Sequence, residues 1–334
     1  MPKTIVAIDC MGGDYAPLEV VKGAVEAVNE KKDITVKLAG VKSDIEAELA
    51  KYKYDSGQVE IIDAPQIIEM GEPPVNAIRE KTESSLVKCL YMVKHGEADA
   101  MVSAGSTGAN LVGGHVVIGR LKGVQRPPLA PLIPTKDGVA LLIDCGANVD
   151  SRPNHLVQFA KMGTVYMENI VGIKNPRVGL VNIGAEEEKG NALTKEAFQL
   201  LSQEESINFI GNIEARDIPN GEADVVVCDA FVGNVILKTY EGVGAVLINK
   251  ITGTLMNSLK TKIGALLIKK DLKKALKGFS IEEYGGAPLL GLNGLLVKTH
   301  GNSKAIEIKN SILQCATFNE LNLNDKFKEK LNLK

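Results

Sequence analysis

Residues 99–111, DAMVSAGSTGANL, join a short apolar run at Ala100–Ser103 to a Gly/Ser/Thr turn, and helical spacing resumes at residues 109–121. A chain leaving a strand through such a turn presents the first amides of a helix without intrahelical partners. Those N–H groups and the positive end of the helix dipole suit an anion, and glycine lets the backbone approach an oxyanion closely. Ser106 or Thr107 acting as an ordinary N-cap explains the same residues, so this motif alone leaves both readings open. Four more polar turns follow apolar strands, at residues 9–14, 144–148, 184–190 and 229–234. In an open α/β sheet, turns at the carboxyl ends of strands gather in one crevice, and ligands bind there. These turns supply backbone donors, asparagine amides and one prominent lysine, Lys189. They supply no GxSxG elbow, Walker lysine or GxGxxG fingerprint. What remains is an anion-binding crevice that stabilises charge without its own nucleophile.

The elements that must position these turns follow from periodicity. Apolar, β-branched runs predict strands at residues 4–8, 34–39, 59–62, 100–103, 139–144, 178–183, 207–210, 225–228 and 295–299. Helical spacing between them predicts helices from Pro17 to about 30, from Ser43 to about 54, from Pro74 to 95 and from Pro153 to about 171. Further helices are expected at 191–202, from Val235 onward and after residues 300–303. Regular alternation of strand and helix implies one large, mostly parallel mixed sheet between helical layers. With no linker in the sequence, residues 1–334 are expected to form a single α/β/α domain.

Composition narrows the class. Among 334 residues, 45% are hydrophobic, 33 are glycine and only 4% are aromatic, which fits an α/β enzyme rich in turns. A net charge of −2 and the lack of tryptophan argue against a nucleic-acid partner. Five separated cysteines without a CxxC, and histidines without HExxH spacing, suggest core thiols in a reducing cytoplasm and no metal site. The chain opens directly on a strand, so no signal peptide is expected, and no apolar run looks long enough to span a membrane. Residues 254–277 differ: Leu255, Leu259, Ile263 and Leu267 share one helical face while seven lysines occupy the others. This reads as an amphipathic helical hairpin over about 239–280 with its tip near 264–268. Packing against a second subunit, an anionic membrane surface and an acidic carrier protein all suit it.

Taken in order, DCMGGD (9–14), SAGSTGA (103–109), DCGAN (144–148), NIGAEEEKGN (182–191), FIGNIEARD (209–217), DAFVGNVILK (229–238), YGGAPLLG (284–291) and HGNSKAI (300–306) resemble the bacterial phosphate acyltransferase (PlsX) family over nearly the whole chain. Three positions depart from the family pattern: Cys10 for a small alanine, Ser106 for asparagine and Ala230 for glycine. The resemblance implies a three-layer α/β/α sandwich like that of isocitrate and isopropylmalate dehydrogenases, assembled as a homodimer. It implies an enzyme without a cofactor that makes acyl-phosphate from an acyl-acyl-carrier protein and inorganic phosphate, feeding phospholipid synthesis. Peripheral contact with the membrane, or with a downstream glycerol-phosphate acyltransferase, accompanies that role. On this reading Lys189 orients phosphate and Asn234 donates to the thioester oxygen. Asp9, Gly12, Gly13, Ser103, Gly105, Ser106, Thr107, Gly108, Asn148, Asp229, His300 and Ser303 bind phosphate or substrate. Rival readings are a phosphotransacetylase-like exchange of acyl groups between coenzyme A and phosphate, a metal- and NAD-dependent hydroxyacid dehydrogenase, and a non-catalytic scaffold for carrier protein.

Overall fold

The computed structural model describes residues 3–277 and 284–333. In chain order the elements are β1 (Thr4–Asp9), α1 (Leu18–Glu30), β2 (Ile34–Gly40), α2 (Lys42–Leu49), β3 (Val59–Asp63), α3 (Pro74–Glu80), α4 (Ser85–Lys94), β4 (Ala100–Ser103), α5 (Thr107–Gly113), β5 (Leu132–Thr135) and β6 (Gly138–Ile143). There follow α6 (Pro153–Tyr166), β7 (Arg177–Asn182), α7 (Ala192–Ser202), β8 (Asn208–Glu214), β9 (Val225–Val227), α8 (Ala230–Leu255), α9 (Leu259–Lys277), β10 (Ala287–Leu289), β11 (Leu295–Lys298), α10 (Ala305–Glu320) and α11 (Leu323–Lys330).

The strands form two sheets, not the single sheet that alternation suggests. One has six strands in the order β10-β11-β4-β1-β2-β3, the other five in the order β5-β6-β9-β7-β8. All pairs are parallel except β10 with β11 and β5 with β6. The sheets touch where the chain runs into β5. Ala130 N–H donates to the Pro288 carbonyl at 3.0 Å and Leu290 N–H to the Pro128 carbonyl at 3.0 Å, before residues 132–135 turn to pair with β6. Alternation along each strand divides the core. Val6 and Ile8 of β1 and Leu141 and Ile143 of β6 face one apolar layer shared by both sheets. Ala7 faces a second layer over the first sheet, and Ala140 and Leu142 a third over the second sheet. The result is an α/β/α sandwich.

Several helices differ from their periodicity. The run from Pro74 to 95 breaks into α3 and α4 because Ser84 takes an extended backbone and its hydroxyl accepts the Val87 amide at 3.4 Å, starting a new helix. Helix α8 begins at Ala230, not Val235, because Asp229 Oδ1 caps it by accepting from Phe231 N–H at 2.9 Å and Val232 N–H at 3.0 Å. The Lys-rich arm reverses at residues 256–258 between α8 and α9, instead of near 264–268, and its expected end at 278–280 lies outside the described residues. Among the described residues, α8 is one helix long and apolar enough to cross a membrane by length and composition, which corrects the reading that no such run exists. Helix α11 packs onto the body, with Leu323 and Phe327 buried.

The arm is rooted at one contact. A Cβ built on Gly233, in the first turn of α8, would stand 1.9 Å from the Asp144 carbonyl oxygen, and Cys145 Sγ donates to the Gly233 carbonyl at 3.3 Å. Backbone cannot yield there as a flexible side chain would. Gly233→Ala is therefore expected to destabilise the protein by about 3 kcal/mol or more, measured as a shift in the denaturation midpoint, whereas Gly242→Ala in the open part of α8 leaves the midpoint unchanged or raises it.

Candidate functional site

A cleft of about 390 Å³ opens between the two sheets at the carboxyl ends of their strands. Four of the five sequence-predicted turns reach it: Asp14 follows β1, Thr107 follows β4, Cys145 follows β6 and Asn234 follows β9 through the first turns of α8. The end of β11 contributes Lys298, Thr299, His300 and Gly301. Leu129, Leu132, Leu237 and Ala287 make part of the wall apolar. The fifth turn, residues 184–190, is not among the lining segments, and Lys189 is exposed on it.

The nominated residues therefore fall into separate groups. Asn234 and His300 line the cleft and are exposed; His300 Nε2 lies 3.9 Å from Glu241 Oε2. Asp9, Gly12, Gly13, Ser103 and Gly105 form a layer beneath it. Asp9 is 2% exposed and accepts from Ser85 Oγ at 2.6 Å and Ser103 Oγ at 2.7 Å. Burial raises its pKa, while these hydroxyls, the Met11 amide and the Lys298 charge act in the opposite direction. Ser103 Oγ in turn accepts from Gly105 N–H at 3.0 Å and Asn110 Nδ2 at 3.1 Å. Gly12 fits only because it lacks a side chain, since a Cβ there would lie 2.5 Å from Asp9 Oδ2 and 2.6 Å from the Gly105 nitrogen. Gly13, at φ +99°, packs its Cα against Ala104.

The anion turn is partly spent on itself. Gly105 N–H is taken by Ser103, and Ala109 N–H by the capping Ser106 hydroxyl at 3.4 Å, while Gly108 packs on the Pro74 ring. Thr107 brings this turn to the cleft. Asn148 is likewise engaged: its amide nitrogen donates to the Pro127 carbonyl at 2.9 Å and to Asp144 Oδ2 at 2.7 Å. Asp144 also accepts from the amides of Leu129, Ala147 and Asn148, and burial lifts its pKa to about 6 against those bonds. Asp229 is occupied as the α8 cap, and Ser303 is buried, its N–H bonded to the His300 carbonyl at 3.1 Å.

The sequence reading missed Lys298. It is 7% exposed at the end of β11, in register with Ser103, and its Nζ donates to the carbonyls of Ala104, at 3.4 Å, and Thr299. Burial lowers its pKa to about 8. A lysine closing the apolar run LLVK was the available signal. Cys145, read as a core thiol, is both buried and on the cleft wall; burial, then the charges of Asp144 and Glu241, push it up to about 12.

This backbone is similar to a phosphotransacetylase from Streptococcus pyogenes, with a TM-score of 0.62 and 18% identity, covering 94% of this chain and 93% of that one. It is also similar to a putative 4-hydroxythreonine-4-phosphate dehydrogenase from Salmonella typhimurium, with a TM-score of 0.51 and 13% identity, covering 94% and 99%. Fold and cleft thus define an α/β protein of the architecture those enzymes share. Within that class, the chain belongs to the fatty acid synthesis protein family, whose pattern matches residues 4–326. A phosphate acyltransferase from Clostridium novyi is 50% identical over 329 residues, 98% of this chain and 99% of that protein. Another, from Clostridium acetobutylicum, is 48% identical over 327 residues, covering 98% of each.

The layer under the cleft yields a direct expectation. Removing the carboxylate in Asp9→Ala leaves two buried hydroxyls without their acceptor and should cost about 2–4 kcal/mol by chemical denaturation. Ser85→Ala, which removes one hydroxyl donor and leaves the Ser103 bond, is expected to cost about 1 kcal/mol by the same measurement.

Proposed function

We propose that the protein transfers a long acyl chain from the thioester of an acyl carrier protein to inorganic phosphate, releasing acyl-phosphate for phospholipid synthesis. The observation that carries this reading is the state of Cys145. A thiol on the cleft wall is the natural acceptor for an acyl group, yet burial pushes the pKa of this one up to about 12 and its Sγ donates to the Gly233 carbonyl at 3.3 Å, both of which disfavour the thiolate. With Cys145 disfavoured as an acyl acceptor, the attacking atom on this reading is an oxygen of phosphate itself, as the family resemblance implies. The names of the half-identical relatives support the same acceptor.

In this mechanism an oxygen of hydrogen phosphate dianion bonds to the thioester carbon. The carbonyl oxygen takes up negative charge, to which the Asn234 amide donates a hydrogen bond. The intermediate collapses with the C–S bond pair leaving on sulfur, and the proton given up by phosphate ends on the departing thiol. Because a thiolate leaves readily, no strong general acid is required. Lys189 is the sequence-based candidate for phosphate, from the exposed turn after β7. The apolar lining at Leu129, Leu132, Leu237 and Ala287 suits an acyl chain. Beyond the first turns of α8, the arm exposes Val243, Val246, Leu247, Leu259, Leu266 and Leu267 beside Lys260, Lys262, Lys269 and Lys270. That surface supports a homodimer contact and peripheral attachment to an anionic membrane at the cytoplasmic side.

Thiol release from palmitoyl-carrier protein, with and without phosphate, tests the reading, and a hydroxamate trap identifies the acyl-phosphate. Matched palmitoyl-coenzyme A as donor distinguishes a phosphotransacetylase-like preference. Asn234→Ala is expected to slow release by about 10²–10³-fold with circular dichroism unchanged. Cys145→Ser is expected to stay within a few-fold of the parent, and intact mass spectrometry during turnover to show no acylated protein.

A further inference from the structure

Among the described residues, the buried ammonium of Lys298 is met by two backbone carbonyls. Its ammonium has three protons, and two are directed to the carbonyls of Ala104 and Thr299. Among the described residues no carboxylate lies within ion-pair distance of it. The charges of Asp9, Glu307 and Asp14 favour the ammonium, yet burial outweighs them, and an anion brought to the site offsets more of that cost. The side chain lines the cleft, next in register to Ser103 on β4, so an anion reaching it enters from the same opening as the substrate.

We infer that Lys298 seats the attacking phosphate, with one ammonium proton donated to a phosphate oxygen while the backbone carbonyls of Ala104 and Thr299 hold the other two. This rests on the acyl-phosphate reading and adds a substrate-positioning residue to it. The placement explains why an ammonium, and no arginine fork, closes β11: a single point donor satisfies two carbonyls and leaves one direction for ligand. Asn234 lines the same cleft from α8, so the amide and the ammonium approach the reacting centre from different sheets.

The surroundings set the pH behaviour. Lys298 is faced by Asp9 at the end of β1, Asp14 in the turn beyond it, Lys238 and Glu241 on α8, His300 in its own loop and Glu307 on α10. Asp9, Glu307 and Asp14 favour its charged form and Lys238 opposes it, yet burial dominates and the free ammonium titrates at about 8. Below pH 8 the site is cationic and takes phosphate; above it the amine is neutral and affinity falls, toward tenfold per pH unit.

The test is steady-state thiol release at saturating acyl donor, with phosphate varied between pH 6.5 and 9.5, for the parent, Lys298→Gln, Lys298→Arg and Lys189→Gln. Expected for Lys298→Gln is a rise in phosphate KM of roughly 10- to 100-fold, with donor KM within twofold and the limb above pH 8 abolished. The ratio of parent to Lys298→Gln cancels phosphate's own titration. Lys298→Arg, which keeps the charge, restores part of the affinity and moves the limb beyond the range. Lys189→Gln measures the share carried by the exposed turn after β7, which is expected to be the smaller of the two. An unchanged phosphate KM in Lys298→Gln, or the whole shift appearing in Lys189→Gln, overturns the inference. Should Lys298→Gln fail to fold, the parent profile still decides: a phosphate KM that shows no break near pH 8 overturns it. Calorimetric titration of the parent with inorganic phosphate alone separates the two claims. Lys298-dependent binding without phosphate-dependent thiol release defeats the acyl-phosphate reading and keeps the anion seat, whereas turnover indifferent to Lys298 defeats the seat alone.

Discussion

A carboxylate taken out of water must have its oxygens met by donors, and this constraint shapes the cleft from both sides. On the first sheet Asp9 gathers the hydroxyls of Ser85 and Ser103, which fixes the start of α4 and the end of β4 relative to β1. On the second, Asp144 gathers the amides of Leu129, Ala147 and Asn148, which fixes the loop after β6 against the crossing strand. Asp9 thus joins three segments distant in sequence, and Asp144 joins the loop after β6 to the crossing chain at Leu129. These bonds tie the floor of the cleft to strand ends of both sheets.

The division of labour follows. Residues whose types look chemically able, such as Asp229, Asn148 and Ser106, hold backbone: one caps α8, one ties residues 127 and 144, one caps α5. The polar groups lining the opening differ in kind: an amide at Asn234, ammonium groups at Lys238 and Lys298, an imidazole at His300, hydroxyls at Thr107 and Thr299, carboxyls at Asp14, Glu241 and Glu307, and the thiol of Cys145. That set is equipped to polarise and neutralise charge. A substrate pair that carries its own nucleophile and its own good leaving group is what such a set can serve.

Much of this was readable in the residues, and the exceptions have physical causes. Strands of uninterrupted Val, Ile and Leu, such as β1, β4 and β9, declared themselves. The two strands that divide the sheet, β5 and β10, are short and contain Pro134 and Pro288, a residue tolerated only where a strand edge needs no donor. Their sequence signal is therefore that of a loop, and the second sheet stayed hidden. Asp229-Ala-Phe-Val reads equally as a turn or as a capped helix start, and only the depth of Gly233 against Asp144 decides. Lys298 was overlooked because a lone lysine after three apolar residues usually ends a strand in solvent; burial here is set by β10 and β4 on either side of it.

The strand that crosses between the sheets has one more effect. By bonding Pro128 and Ala130 to β10 and then residues 132–135 to β6, it covers the β10 rim of the first sheet, so among the described residues β3, β5 and β8 are the strands left with one partner, and Pro134 blunts β5. Those outer rims are poor templates: β3 carries Glu60 and Asp63, and β8 is thrown out of step at Ile210, where its register against β7 shifts. Fibril-like growth through main-chain ladders is thereby opposed at every border of the sandwich, even though the molecule wears an unusually greasy appendage.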